Sequence, residues 1–215
     1  MSIGLSEQEI LRREAMAELR KLGIDPYPPE SFEVNVSAQN IKENYERDTT
    51  SYKNISFAGR IMSRRIMGSA SFAELQDSTG RIQAYLNRDE ICPGEDKTLY
   101  NTVFKKLLDI GDFIGVRGYV FTTKTGEISI HVSEIKILAK SLKPLPIVKR
   151  DDEGNIYDGF TDPEMRYRQR YVDLTVNPDY KKIFQNRSKV IKTMRNYFDD
   201  QGWMEVETPI LQPIH

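Results

Sequence analysis

Two short runs of alternating side chains, separated by a four-residue turn, constrain this chain more than any other feature. From Ser71 to Gln76, and again from Arg81 to Leu86, polar and apolar residues alternate, and successive residues of a β-strand point to opposite faces. Ala73 and Leu75 in the first run, with Ile82, Ala84 and Leu86 in the second, share one apolar face. Phe72, Glu74 and Gln76, with Arg81, Gln83 and Tyr85, share the other. Asp77-Ser78-Thr79-Gly80 reads as a tight turn, Gly80 being expected to supply a positive φ. The hairpin therefore carries an aromatic ring, Phe72, on its polar face. By pattern alone such a ring more often packs beneath a neighbouring loop than meets a ligand. Beside an amide and several guanidinium groups, it also has the chemistry to stack an unpaired base and read its edge.

The segments around the hairpin predict a barrel. Ser6-Glu7-Gln8-Glu9 fits a capping box opening a helix, with Ile10, Leu11, Ala15, Leu19 and Leu22 at helical spacing and Gly23 at its end. Arg12, Arg13, Arg20 and Lys21 are expected on its solvated side or near its end; the alternative is that they touch phosphates. Ile24 to Pro29, with its three prolines, stops the helix. Ser37 to Arg47 predicts a second, weaker helix. Ile55 to Met62 reads as a first strand, with Ile55, Phe57 and Ile61 on one face and Arg60 on the other. Asp96 to Asp109 reads as a helix striped by Leu99, Val103, Phe104, Leu107 and Leu108, with Gly111 ending it. Asp112 to Phe121 and Glu127 to Leu138 are two further strands, joined through Thr123-Lys124-Thr125-Gly126. The order βββαββ predicts a five-stranded OB-fold barrel, whose binding face centres on strands two and three and on the loops one to two and four to five.

Beyond the barrel, Lys143-Pro144-Leu145-Pro146 reads as a stiff connector and Lys149 to Gly159 as an exposed charged loop. Asp162 to Leu174 is expected to be helical from Pro163 onward. A long helix follows from about Asp179 to Gln201, apolar at Ile183, Phe184, Val190, Ile191, Met194 and Phe198, and Gly202 ends it. Trp203 to Pro209 then reads as a strand. One helix and one strand cannot enclose a core, so this part looks like the incomplete start of an α+β domain. The expected organisation is a helical extension over 1–50, the barrel over 51–142, a linker over 143–161 and the incomplete domain over 162–215. The fold class is mainly β with flanking helices.

A formal net charge of −1 over 215 residues excludes a protein that holds duplex nucleic acid by bulk charge, so any nucleic-acid contact has to be local. Cys92 is the one cysteine, which rules out a disulfide framework and points to a reducing compartment. With only His131 and His215 beside it, no transition-metal site is expected. The amino terminus has no apolar run of signal-peptide or membrane-spanning length, so a cytoplasmic protein without membrane contact is the default reading.

Four pieces of the chain carry a family resemblance: the leading helix with LGIDPYP, the segment GRIMSRRIMGSASFAELQDSTGRIQAYL, the block MRYRQRYVDL, and FQNRSKVIKTMRNYFDDQGWMEVETPIL. Together they resemble the amino-terminal part of bacterial class II lysyl-tRNA synthetases, and the last is similar to motif 1 of that class. The resemblance implies that the barrel binds the tRNA anticodon. Phe72 matches the aromatic that stacks the central anticodon base, and Gln83 matches the glutamine that hydrogen-bonds it. Arg64 or Arg65, expected in the strand one to two loop, contributes to the same site. Glu127, in the strand four to five loop, is a candidate for the first anticodon base. Pro209 closes a motif that forms much of the family's dimer interface. The family uses ATP and Mg2+ to join lysine to tRNA, with machinery in motifs 2 and 3 that this sequence lacks. No catalytic residue, metal ligand or cofactor is therefore expected in it. The polypeptide is expected to bind an anticodon stem-loop, not to aminoacylate, and to dimerise weakly. Two other readings remain: a stand-alone OB-fold single-stranded nucleic-acid-binding protein, for which 162–215 would be superfluous, and a dimerisation protein built on motif 1.

Overall fold

A computed structural model describes residues 4–146, 149–150, 156–157 and 159–211. The chain forms two compact units, 1–144 and 145–215. The first begins with α1 (Glu7–Lys21) and α2 (Ala38–Asn44). The predicted capping box is present: Glu9 N–H donates to Ser6 Oγ at 3.3 Å and Ser6 N–H to Glu9 Oε2 at 3.0 Å. Gly23 adopts a φ of 74° just past the helix. The expected sidedness of α1 does not hold. Ile10, Leu11 and Leu22 are exposed, whereas Leu19 and Arg12 are buried. Arg12 donates to the Ser141 carbonyl at 3.0 Å and the Ile110 carbonyl at 2.9 Å. Its guanidinium satisfies carbonyls at the barrel's end, so it is neither solvated nor free for phosphate.

The barrel consists of β1 (Ile55–Met67), β2 (Ala70–Gln76), β3 (Arg81–Asn87), β4 (Phe113–Thr122) and β5 (Ile128–Ala139). It closes in the order β1-β2-β3-β5-β4, and only the β3–β5 pair is parallel. Between β3 and β4 lie α3 (Arg88–Ile91) and the segment Leu99–Leu107, which winds as a π-helix where a regular helix was expected. Phe57, Ile61, Leu75, Ile82, Leu86 and Ile114 fill the interior, with Phe104 and Leu108 buried against them. At Gly118 the β4–β5 register shifts, and a Cβ there would lie 1.9 Å from the His131 carbonyl oxygen, so only glycine lets these strands close.

Two local expectations are corrected. The first strand runs on to Met67, so Arg64 and Arg65 are strand residues, paired with Ala73 and Phe72, and not loop residues. A bulge lies between Ile61 and Ser63, leaving Met62 unpaired on that edge. One extra residue reverses the facing of everything after it. Gly80 does not use a positive φ. Instead the Asp77 carboxylate accepts from Thr79 N–H at 2.7 Å and Gly80 N–H at 2.8 Å, so the side chain makes the turn. Its other oxygen accepts from Ala38 N–H at 2.9 Å, anchoring α2 to the hairpin.

In the second unit, Lys149–Arg150 and Ile156–Tyr157 pair as a two-residue antiparallel ladder. The rest of the predicted charged loop up to 158 lies outside the described residues, apart from that ladder. Helix α4 (Pro163–Arg168) is capped by Asp162, and Gln169 separates it from α5 (Arg170–Val176). The enclosed Asp173 carboxylate gathers Arg166, Arg170 and Asn177. Burial alone would raise its pKa, but these donors and their charge hold it below the usual carboxylate range. Helix α6 (Pro178–Asp200) buries no side chain, and its apolar residues Ile183, Phe184, Val190, Ile191, Met194 and Phe198 are exposed. The strand expected over Trp203 to Pro209 is not formed, and these residues are exposed coil. A strand exists only by pairing, and among the described residues none pairs with it.

Candidate nucleic-acid interface

On the outer face of β1, β2 and β3, a cleft of about 440 Å³ is lined by residues that include Arg64, Arg65, Phe72, Glu74, Gln83 and Glu127. Its floor follows from register. Arg65, Phe72 and Tyr85 stand opposite one another across the three strands, and Ser63, Glu74 and Gln83 form the next row. Phe72 is half-buried, its ring centroid 5.3 Å from that of Tyr85 and tilted by 53°. The Arg65 guanidinium carbon lies 5.5 Å from the Phe72 ring centroid. A ring with an open face and a cation at its side can hold a flat, electron-rich group.

The two arginines diverge. Arg64 borders the cleft but turns its guanidinium away, donating to the Phe104 carbonyl at 2.6 Å. Burial pulls its pKa down, opposed by Asp109 and Asp112. Arg65, on the other side of the strand, faces the cleft with Phe72. The bulge at Met62 is the cause of this division.

Gln83 is held from two directions. Its Nε2 donates to Glu127 Oε2 at 2.9 Å, and its Oε1 accepts from Ser129 Oγ at 3.1 Å. Glu127 reaches it from the β4–β5 loop, which Thr123 closes: Thr123 N–H donates to the Glu127 carbonyl at 2.9 Å, and Glu127 N–H to Thr123 Oγ1 at 3.0 Å. Ser129 is fully buried and pairs with Gln83 in the parallel β3–β5 register. Glu74 is held by Arg81 at 3.1 Å on the same face.

All five barrel residues singled out from the sequence thus border one cleft, although the Arg64 guanidinium leaves it. Pro209 lies in the second unit as exposed coil. Sequence reasoning missed Ser129 and the aromatic row beyond Tyr85. His131 stacks on Tyr119 at 4.6 Å and 9°, and lies 5.0 Å from Tyr85 and 5.4 Å from Phe121. Parity within β5 puts Ser129 and His131 on one face, but their adjacency to β3 depends on a crossover that parity does not reveal.

Residues 55–138 match the family described as OB-fold nucleic acid binding domain, and residues 162–215 match tRNA synthetases class II (D, K and N). A lysine–tRNA ligase of Porphyromonas gingivalis is 58% identical over 211 residues, covering 98% of this chain and 36% of the relative. By sequence, this chain is similar to lysine–tRNA ligases over nearly its whole length. Lysine–tRNA ligases of Christiangramia forsetii and Azobacteroides pseudotrichonymphae are 58% and 56% identical over 210 residues, covering 36% and 42% of those proteins. The chain therefore spans well under half the length of these synthetases.

Proposed function

We propose that this chain is the tRNA-reading part of a lysine–tRNA ligase, and that the barrel cleft takes the central base of a lysine anticodon. In this reading the base stacks on Phe72, Arg65 flanks it, and Gln83 hydrogen-bonds its Watson–Crick edge. Glu127 stands at the side of the cleft where the first anticodon base would lie. The observation that carries the reading is the convergence of an open-faced ring, a cation and an oriented amide on one cleft. Uridine, with two carbonyl acceptors and an imino donor, suits that set.

The wider activity belongs to the same proposal: ATP- and Mg2+-dependent joining of lysine to tRNA, by a homodimer that uses the exposed face of α6 and the stretch ending at Pro209, in the cytoplasm. Among the described residues no group of three or more His, Cys, Asp or Glu side chains could hold a metal ion. No described helix is long and apolar enough to cross a membrane.

Titration of a lysine anticodon stem-loop against the chain and its Phe72→Ala variant tests the reading. Loss of base stacking costs about 1–3 kcal/mol, so affinity should fall roughly 5- to 150-fold. Affinity unchanged within error would overturn it.

A further inference from the structure

We infer that Glu127 is a positioning residue for base selection: its carboxylate, with Ser129 bracing the opposite end, holds the Gln83 amide in one of its two flips, and that hold is what separates uridine from cytidine. The inference rests on the anticodon reading proposed above.

The flip follows from proton bookkeeping. A carboxylate only accepts hydrogen bonds, so the Gln83 atom 2.9 Å from Glu127 Oε2 has to be the amide nitrogen. The opposite atom is then the carbonyl oxygen, which only accepts, and the Ser129 hydroxyl 3.1 Å away has to donate to it. That hydroxyl also lies 3.3 Å from the Glu127 carbonyl, so it can donate there and accept from an amide turned the other way; the carboxylate, which only accepts, is what fixes the flip. Ser129 is fully buried and stands beside Gln83 in register, so water does not readily replace it.

The lock matters because a glutamine amide is nearly symmetric in shape. Uracil presents a carbonyl acceptor beside an imino donor, and an amide pairs with both through N–H and C=O. Cytosine presents an amino donor beside a ring-nitrogen acceptor, and the same amide, flipped by half a turn, pairs equally well. A freely turning Gln83 would accept either base. Held from both ends, it offers one order of donor and acceptor, and the wrong pyrimidine meets donor against donor and acceptor against acceptor. Glu127 thereby acts on the central base through Gln83, a role separate from any contact with the first base.

The experiment measures binding of two anticodon stem-loops, identical except for uridine or cytidine at the central position, to the chain and to its Ser129→Ala, Glu127→Gln and Phe72→Ala variants. The parent should prefer uridine about 5- to 150-fold, the range of a well-made bidentate contact. Glu127→Gln, whose amide can donate or accept, should lose about tenfold of the preference, mainly by binding the cytidine loop better. Ser129→Ala, which removes the brace and leaves the carboxylate, should keep most of the preference. Because Glu127 is exposed in a loop, Glu127→Gln is expected to fold, and it carries the test whether or not Ser129→Ala folds. If Glu127→Gln lowers affinity for the two loops equally and leaves the preference intact, Glu127 is merely structural and the inference is overturned. If Phe72→Ala does not weaken binding, the anticodon reading itself falls, and the inference with it.

Discussion

Replacing Lys140 with methionine should destabilise the barrel more than any surface change. The Lys140 side chain is wholly enclosed, and its Nζ lies 2.8 Å from Asp112 Oδ2 and 2.5 Å from Asp109 Oδ2. Asp112 is equally enclosed and accepts from the N–H groups of Asp109 and Ser141, each at 2.7 Å. Burial pushes the Asp112 pKa up, opposed by the Lys140 ammonium and those two donors. Methionine fills a similar volume but removes the countercharge. Breaking a buried pair from one side costs about 3–5 kcal/mol, a large share of the roughly 5–15 kcal/mol that holds a domain together. At about 2–4 °C per kcal/mol, the melting temperature should drop by roughly 6–20 °C. Circular dichroism is the suitable probe, because the single tryptophan, Trp203, lies in the second unit and its fluorescence would follow the wrong transition. Adding Asp112→Asn to the methionine variant removes the stranded charge and should recover part of the loss, so that the two changes combine to less than their sum. A melting temperature within about 2 °C of the parent, or full additivity, would refute the argument. The cluster also ties down the leading segment: Tyr27 Oη donates to the Lys140 carbonyl at 2.8 Å and Arg12 to that of Ser141. The loss should therefore reach α1.

Arg65→Ala should weaken stem-loop binding severalfold with little change in melting temperature. Arg64→Ala should instead lower stability by about 1–3 kcal/mol through loss of the charged hydrogen bond to Phe104. If Arg64→Ala melts like the parent while Arg65→Ala does not, the division of roles is wrong. Asp77→Asn tests the turn. Partial burial pushes this carboxyl up, but the hydrogen bonds from Ala38, Thr79 and Gly80 outweigh it, and the net pKa is lowered. A folded-state pKa below the unfolded value means that the stabilisation is present above about pH 4 and fades as pH falls through the folded value. Urea unfolding across acidic pH should show this loss in the parent and not in the variant, which starts lower by about 1–2 kcal/mol at neutral pH. Parallel curves would show that the carboxylate does not hold the turn.

Most of the candidate site could be read directly from the chain. Simple alternation places Phe72 and Gln83 outward, whereas Glu127 enters the site only through the family resemblance. The helix starts were equally legible, because a capping serine and a glutamate three residues on are local chemistry. Three of the failures share one cause. Arg12 on a helix face, the supposed loop at Arg64 and Arg65, and the supposed strand from Trp203 each depend on what lies opposite. Polar residues read as a loop until a partner strand pairs them, and apolar alternation reads as a strand even where nothing pairs.

The sequence by itself thus determined which residues alternate, where helices begin, and that an aromatic stands on the polar face of a hairpin, since these depend on neighbours within a few positions. Tertiary structure decided which arginine meets the ring and what holds the amide. A single extra residue at Met62 reverses the facing of everything after it in β1, and its presence is set by pairing with β2. The parallel contact of β3 with β5 brings Ser129 beneath Gln83 across 46 residues of chain. Both are properties of register between strands, which no single strand encodes alone.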